Sequence, residues 1–223
     1  MREIQDLGVH ALLTEGGTII DGHRILGKGC VSLALLAESC VGRAVLKIRR
    51  VDANREDMSH EVEALRLVNR FGIGPRLLGN SRNMLLLQYI DGPLISDWLS
   101  GVQEGDLMRV KGTLRTLLTQ CYRLDLIRVD HGELSNASKH VVIRQPDWQP
   151  FVLDFESASK KRQVKNLTSI CRFLFMTDLS PTPLQSWRCA IDWEDLKAKL
   201  REYKSGPNEK RFKQVLDTFN LVA

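Results

Sequence analysis

The sequence predicts an α+β fold in two parts, a β-rich stretch over residues 1–90 and a mainly helical one over residues 91–223. Three observations carry that expectation. Short runs rich in Leu, Val and Ile, separated by Gly-containing turns, fill the first part. A single helical apolar period interrupts them, and beyond residue 90 longer stripes at steps of three and four take over.

After a leader, residues 1–21, strands are expected over 23–27, 30–37 and 43–49. Met58, Val62, Leu65 and Val68 then set a helix within 54–71, which Gly72-Ile73-Gly74-Pro75 stops. Residues 76–79 and 84–90 read as a strand pair turned at Asn80-Ser81-Arg82-Asn83. Leu107, Val110, Leu114, Leu117, Leu118, Cys121 and Leu124 mark the longest helix by their apolar stripe. Two short strands, 141–144 and 150–154, flank the turn signal Gln145-Pro146-Asp147-Trp148. Helices over 164–176, 193–203 and 208–221 complete the chain.

With 43% hydrophobic and 26% charged residues among 223, the chain has enough apolar material for a real core and is neither disordered nor fibrous. A net charge of +5 favours anionic ligands; nucleic acid is not indicated by it. No apolar run approaches the roughly 18 residues of a membrane span, and the start Met1-Arg2-Glu3 is unlike a signal peptide, so a soluble cytoplasmic protein without a membrane partner is expected. The five cysteines, Cys30, Cys40, Cys121, Cys171 and Cys189, are odd in number and lack C-x-x-C spacing, which argues against disulfides and zinc. Most are expected to be small core residues, Cys121 and Cys171 on the apolar faces of helices.

Several residues stand out chemically. Gly27 and Gly29, in Leu26-Gly27-Lys28-Gly29-Cys30-Val31-Ser32, would let a strand-turn-strand backbone approach a polyphosphate. Lys47 lies in the otherwise apolar strand Ala44-Val45-Leu46-Lys47-Ile48, sharing a face with Val45. Val45 could roof an adenine while Lys47 reaches phosphates; the competing reading is a solvated edge-strand lysine. A buried lysine needs a carboxylate, and on a helical wheel Glu61 falls within the apolar arc of Met58, Leu65 and Val68, whereas Glu63 lies beyond it. Further on come His131-Gly132-Glu133-Leu134-Ser135, then Val141-Val142-Ile143, then Val152-Leu153-Asp154-Phe155-Glu156. Phosphoryl transfer needs one carboxylate to orient the acceptor hydroxyl and take its proton, and another to hold magnesium.

In this order the pieces resemble a protein kinase. The first motif is similar to the H-G-D-L or H-R-D-L catalytic loop with Glu133 for aspartate, and the second to D-F-G. The chain looks like the small atypical kinases related to the RIO and KEOPS-complex kinases. It is most similar to an archaeal group of predicted serine/threonine kinases with H-G-E-L (131–134), Lys139-His140 before a strand, and D-F-E-S-A-S (154–159). The resemblance implies a two-lobed kinase fold with a reduced helical lobe. It implies a hinge over residues 84–92, with Leu87 at the back of the adenine pocket and Gln88 and Ile90 beside it. It further implies ATP and magnesium as cofactors, Glu133 as base, Asp154 as metal ligand, and a protein substrate of unknown identity.

Three departures accompany it. Glu133 is one methylene longer than aspartate. The metal-binding asparagine expected five positions after the catalytic acid is Ser138; counting back from the strand places His140 there instead, and Asn136 is a further candidate. Glu156 replaces the glycine of D-F-G. The short connection through Ser157-Ala158-Ser159-Lys160-Lys161-Arg162 leaves no room for a long activation loop, and its basic cluster is expected to be a solvated turn. The leading expectation is ATP-dependent transfer to a protein Ser or Thr hydroxyl. A nucleotide-binding pseudokinase or scaffold and a small-molecule phosphotransferase are the alternatives.

Overall fold

In the computed structural model, which describes residues 2–176 and 191–221, the chain starts with helix α1 (Arg2–Asp6) and strand β1 (Val9–Leu13). A small hairpin, β2 (Thr18–Ile20) with β3 (His23–Ile25), comes next. It leads to β4 (Gly27–Lys28), β5 (Ser32–Ser39), β6 (Gly42–Arg49), α2 (Ser59–Asn69), β7 (Leu77–Asn80) and β8 (Met84–Gln88). The main sheet is antiparallel in the order β1-β5-β6-β8-β7, with β4 beside β5. The chain divides into two compact units, Met1–Ile90 and Asp91–Ala223.

The sheet of the first unit is covered on both faces because its strands are apolar on both faces. Ala44, Leu46 and Leu86 point to one side, where Val9 and Ala37 complete a cluster that Ile4 and Leu7 close. Side chains alternate along a strand, so Val45 and Lys47 point to the other side, opposite Leu87 and Leu85 in the register of β6 and β8. Helix α2 buries Val62, Leu65 and Val68 together with Glu61. The leader contributes α1, β1 and β2 to this unit. Glu3 ties α1 to the β7–β8 turn by accepting from Ser81 Oγ (2.5 Å) and Asn83 Nδ2 (2.9 Å), and β1 adds an edge strand to β5. Residues 23–27 also do not make one strand of the main sheet. His23–Ile25 pairs with β2, and only Gly27–Lys28 pairs with β5.

The second unit contains α3 (Ile95–Ser100), α4 (Leu107–Leu126), the hairpin β9 (Val141–Ile143) and β10 (Pro150–Val152), and α5 (Asn166–Cys171). Helix α5 runs on into a π-helical turn at Arg172–Met176, and α6 (Trp193–Ser205) and α7 (Glu209–Thr218) follow. The last two helices start at side-chain caps. Asp192 accepts from the amides of Glu194 and Asp195, and Asn208 from that of Arg211, supplying partners that a helix start otherwise lacks. Helix α4 is the spine of this unit, with Val110, Leu114, Leu117, Leu118, Cys121 and Leu124 buried. It also holds the hairpin from below, through Thr113 Oγ1 to Trp148 O (3.1 Å) and Gln120 Nε2 to Pro150 O (2.9 Å). At Gly92 the chain passes so close to the hairpin that a β-carbon would stand 2.0 Å from Ile143 O, and only glycine fits.

Cys121 and Cys171 are buried, and burial pushes both thiols up from the ordinary range, as inert core residues require. Cys30 and Cys40 are exposed, contrary to the expectation that most cysteines are core, because each sits in a turn bordering β5. Cys189 lies outside the described residues. Among the described residues, no helix is long and apolar enough to cross a membrane.

Candidate functional site

In the first unit the strongest feature is the ion pair predicted from the helical wheel. Lys47 Nζ lies 2.6 Å from Glu61 Oε1, with the two side chains 9% and 2% exposed. The edge-strand alternative for Lys47 is thereby excluded: β6 is an interior strand between β5 and β8. Two groups of this kind are kept out of water only when the partner is at hand, so removal of one is far costlier than its net contribution suggests. Val45, Lys47 and Leu87 share a sheet face, as an adenine roof, a phosphate lysine and a pocket wall would require. Gln88 points to the other face, and its amide is engaged in donating to Arg76 O (2.9 Å). Ile90 is buried just past the end of β8. In the glycine hairpin the amide of Gly29 donates to Ser32 O (2.8 Å), so it closes the turn rather than remaining open for a ligand. A β-carbon on Gly27 would meet nothing within 4 Å, so packing does not account for glycine there.

The second unit brings the two carboxylate motifs together. The backbone pairing of β9 with β10 continues one step further, Leu153 N donating to His140 O (2.8 Å), which delivers Asp154 beside the residues preceding β9. Asp154 itself has φ +64°, a left-handed conformation uncommon for a residue with a β-carbon, and one seen often at functional sites. His131 joins the loops. Its Nε2 lies 2.8 Å from Leu153 O, and since a carbonyl only accepts, that nitrogen carries the proton. Burial lowers the His131 pKa and keeps the ring neutral. Its Nδ1 is then an acceptor for the amide of Glu133, at 3.4 Å.

His140 stands at the centre. Its Nε2 is 2.9 Å from Glu133 Oε2 and its Nδ1 is 3.8 Å from Asp154 Oδ2. Of the three candidates for a second metal ligand, His140 has its Nδ1 3.8 Å from Asp154 Oδ2, and the Ser138 hydroxyl donates to Asn136 Oδ1 (2.9 Å). Oxygen ligands suit magnesium and imidazole suits softer ions, so donor chemistry favours Asp154 over His140 as the magnesium residue. The Asp154 side chain is 28% exposed. Glu133 is also bonded on its other oxygen, Oε1, which accepts from Ser157 Oγ.

Residues not singled out from sequence hold this arrangement in place. Asn166 Oδ1 accepts from His131 N (2.8 Å), and its Nδ2 donates to Val129 O and to Asp125 Oδ1 (both 2.7 Å). Asp125 in turn accepts from Asn166 N (2.9 Å), Leu167 N (3.1 Å) and Tyr203 Oη (2.8 Å). A polar residue inside an apolar stripe was the available signal: Asp125 follows Cys121 by four, and Asn166 precedes Ile170 by four. On the other side Arg162 Nε pairs with Asp130 Oδ2 (2.8 Å) and its Nη2 donates to Ser157 O (2.5 Å). Lys160 and Lys161 are exposed as expected of a solvated turn, but Arg162 is a structural member of the site. Gly132 has φ +96°, and a β-carbon there would stand 2.5 Å from Arg162 Nη2.

No protein-family model and no curated protein matches the chain.

Proposed function

We propose that the protein is a minimal atypical kinase that transfers the terminal phosphoryl group of ATP to a protein Ser or Thr hydroxyl. The observation that carries this reading is the nearness of Glu133 and Asp154 to one imidazole: His140 Nε2 lies 2.9 Å from Glu133 Oε2 and its Nδ1 lies 3.8 Å from Asp154 Oδ2, which supports a shared role for the two carboxylates in phosphoryl transfer. The buried Lys47–Glu61 pair supports it, because a lysine fixed on a strand next to an apolar face suits nucleotide phosphates. In this reading Gly27 and Gly29 cover ATP, and Val45, Leu87 and Ile90 provide apolar surface for the base. Lys47, oriented by Glu61, holds phosphate oxygens. Asp154 holds magnesium, which when bound supplies charge neutralisation at the phosphates. Glu133 orients the acceptor hydroxyl and accepts its proton.

A pseudokinase is the second reading, favoured by Ser138 where the asparagine is expected and by the glutamate at 133. Both readings share nucleotide binding, which is measured first. Magnesium-ATP at about 100 times its dissociation constant is expected to stabilise the wild type by about 2.7 kcal/mol. Asp154→Ala is expected to lose most of that gain. No stabilisation of the wild type would remove both readings, whereas stabilisation without turnover would select the pseudokinase.

A further inference from the structure

The glutamate at position 133 carries its carboxylate roughly 1 Å further from the backbone than an aspartate would, a displacement large enough to cost about a hundredfold in a reaction sensitive to alignment. A longer side chain also has one more rotatable bond and needs firmer restraint to stay productive. The structure supplies that restraint on both oxygens. Oε1 accepts from the Ser157 hydroxyl, and Oε2 lies 2.9 Å from His140 Nε2, which carries a proton toward a carboxylate acceptor. Neither donor is itself loose. The backbone of Ser157 is held by Arg162 through Ser157 O (2.5 Å), and Ser159 two residues on forms an antiparallel bridge with Asp130, next to His131. His140 is buried, its own amide donates to Ala137 O (2.9 Å), and its carbonyl is fixed by Leu153 N (2.8 Å).

We infer that Ser157 and His140 form a two-sided clamp that positions Glu133, so that this site is built for glutamate and not for the shorter aspartate. The inference rests on the proposed role of Glu133 as base. Its residues come from different segments: Ser157 follows Glu133 by 24 positions and reaches it across the D-F-E-S loop. Ser157 and His140 are positioning residues, and the hydroxyl to be phosphorylated belongs to the substrate.

The test uses the full chain, magnesium with radiolabelled ATP, and dephosphorylated casein as acceptor. Ser157→Ala is expected to lower kcat roughly ten- to a hundredfold at unchanged KM for ATP, and Ser157→Thr to restore it, since threonine retains the hydroxyl. His140→Gln, whose amide nitrogen falls near the position of Nε2, is expected to keep more activity than His140→Asn, whose amide does not reach. Glu133→Asp is expected to fall rather than gain, and Ser157→Ala to have little further effect in that background because the carboxylate has already left the clamp. Full activity of Ser157→Ala or of Glu133→Asp, or label found on Ser157 itself, would overturn the clamp. If wild type transfers no phosphate, the kinase reading fails separately. The clamp is then judged at constant pH by the carboxyl-carbon NMR resonance of Glu133, which is expected to move in both Ser157→Ala and His140→Asn and which overturns the inference if it does not.

Discussion

Replacing Lys47 by alanine is expected to destabilise the first unit by about 3–5 kcal/mol, the usual cost of breaking a buried ion pair from one side. The cause is local. Glu61 is 2% exposed and loses the ammonium 2.6 Å away, so its carboxylate stays buried without that ion pair. The same logic predicts a non-additive rescue. Lys47→Met combined with Glu61→Leu replaces the pair by apolar groups of similar size and is expected to be more stable than either single variant. Urea unfolding at pH 7 measures all of them. A Lys47→Ala loss below about 1 kcal/mol would mean that the pair is solvated in solution.

Asp125→Ala is expected to be the most damaging change in the second unit. Asp125 is 3% exposed and serves two backbone amides, the Asn166 side chain and the Tyr203 hydroxyl. Each buried donor left without an acceptor costs about 1–3 kcal/mol, so a loss of about 4 kcal/mol or more is expected. Tyr203→Phe removes only one of these bonds and is expected to cost about 1 kcal/mol. Thermal or urea unfolding separates the two variants, and equal losses would contradict the role of Asp125 as a hub. Because Asn166 also holds the amide of His131, Asp125 sets the loop that carries Glu133 without touching it.

What could be read from the sequence follows from what has a local period. Strands β5, β6, β7 and β8, helices α2 and α4 and the β9–β10 hairpin announce themselves by alternation or apolar stripes, and the Lys47–Glu61 pair follows from two such periods. Strand β1 has a single buried residue, Val9, and exists by pairing with β5, a non-local partnership that no window over residues 9–13 contains. Helix α3 is six residues long, too short for a period to be distinguished, although Ile95, Trp98 and Leu99 are buried at helical spacing. The turn positions of Cys30 and Cys40 overrode the tendency of cysteine to be buried. At the site, motif order placed Glu133 and Asp154 in their loops, but the restraints on them are hydrogen bonds between distant segments: Ser157 to Glu133, Asn166 to His131 and Arg162 to Asp130. Such bonds have no sequence period. They depend on how the chain returns to itself.

Phosphoryl transfer is the reaction proposed for the site that holds Glu133 and Asp154. Incorporation of labelled phosphate from magnesium-ATP, into the protein itself and into casein, decides it when wild type is compared with Asp154→Ala and Lys47→Ala at a temperature where all three are folded. Incorporation by the wild type that falls at least about a hundredfold in both variants is the expected result, in line with the loss of a charge-stabilising group from such a site. Equal incorporation by all three, or none by the wild type, would refute the assignment.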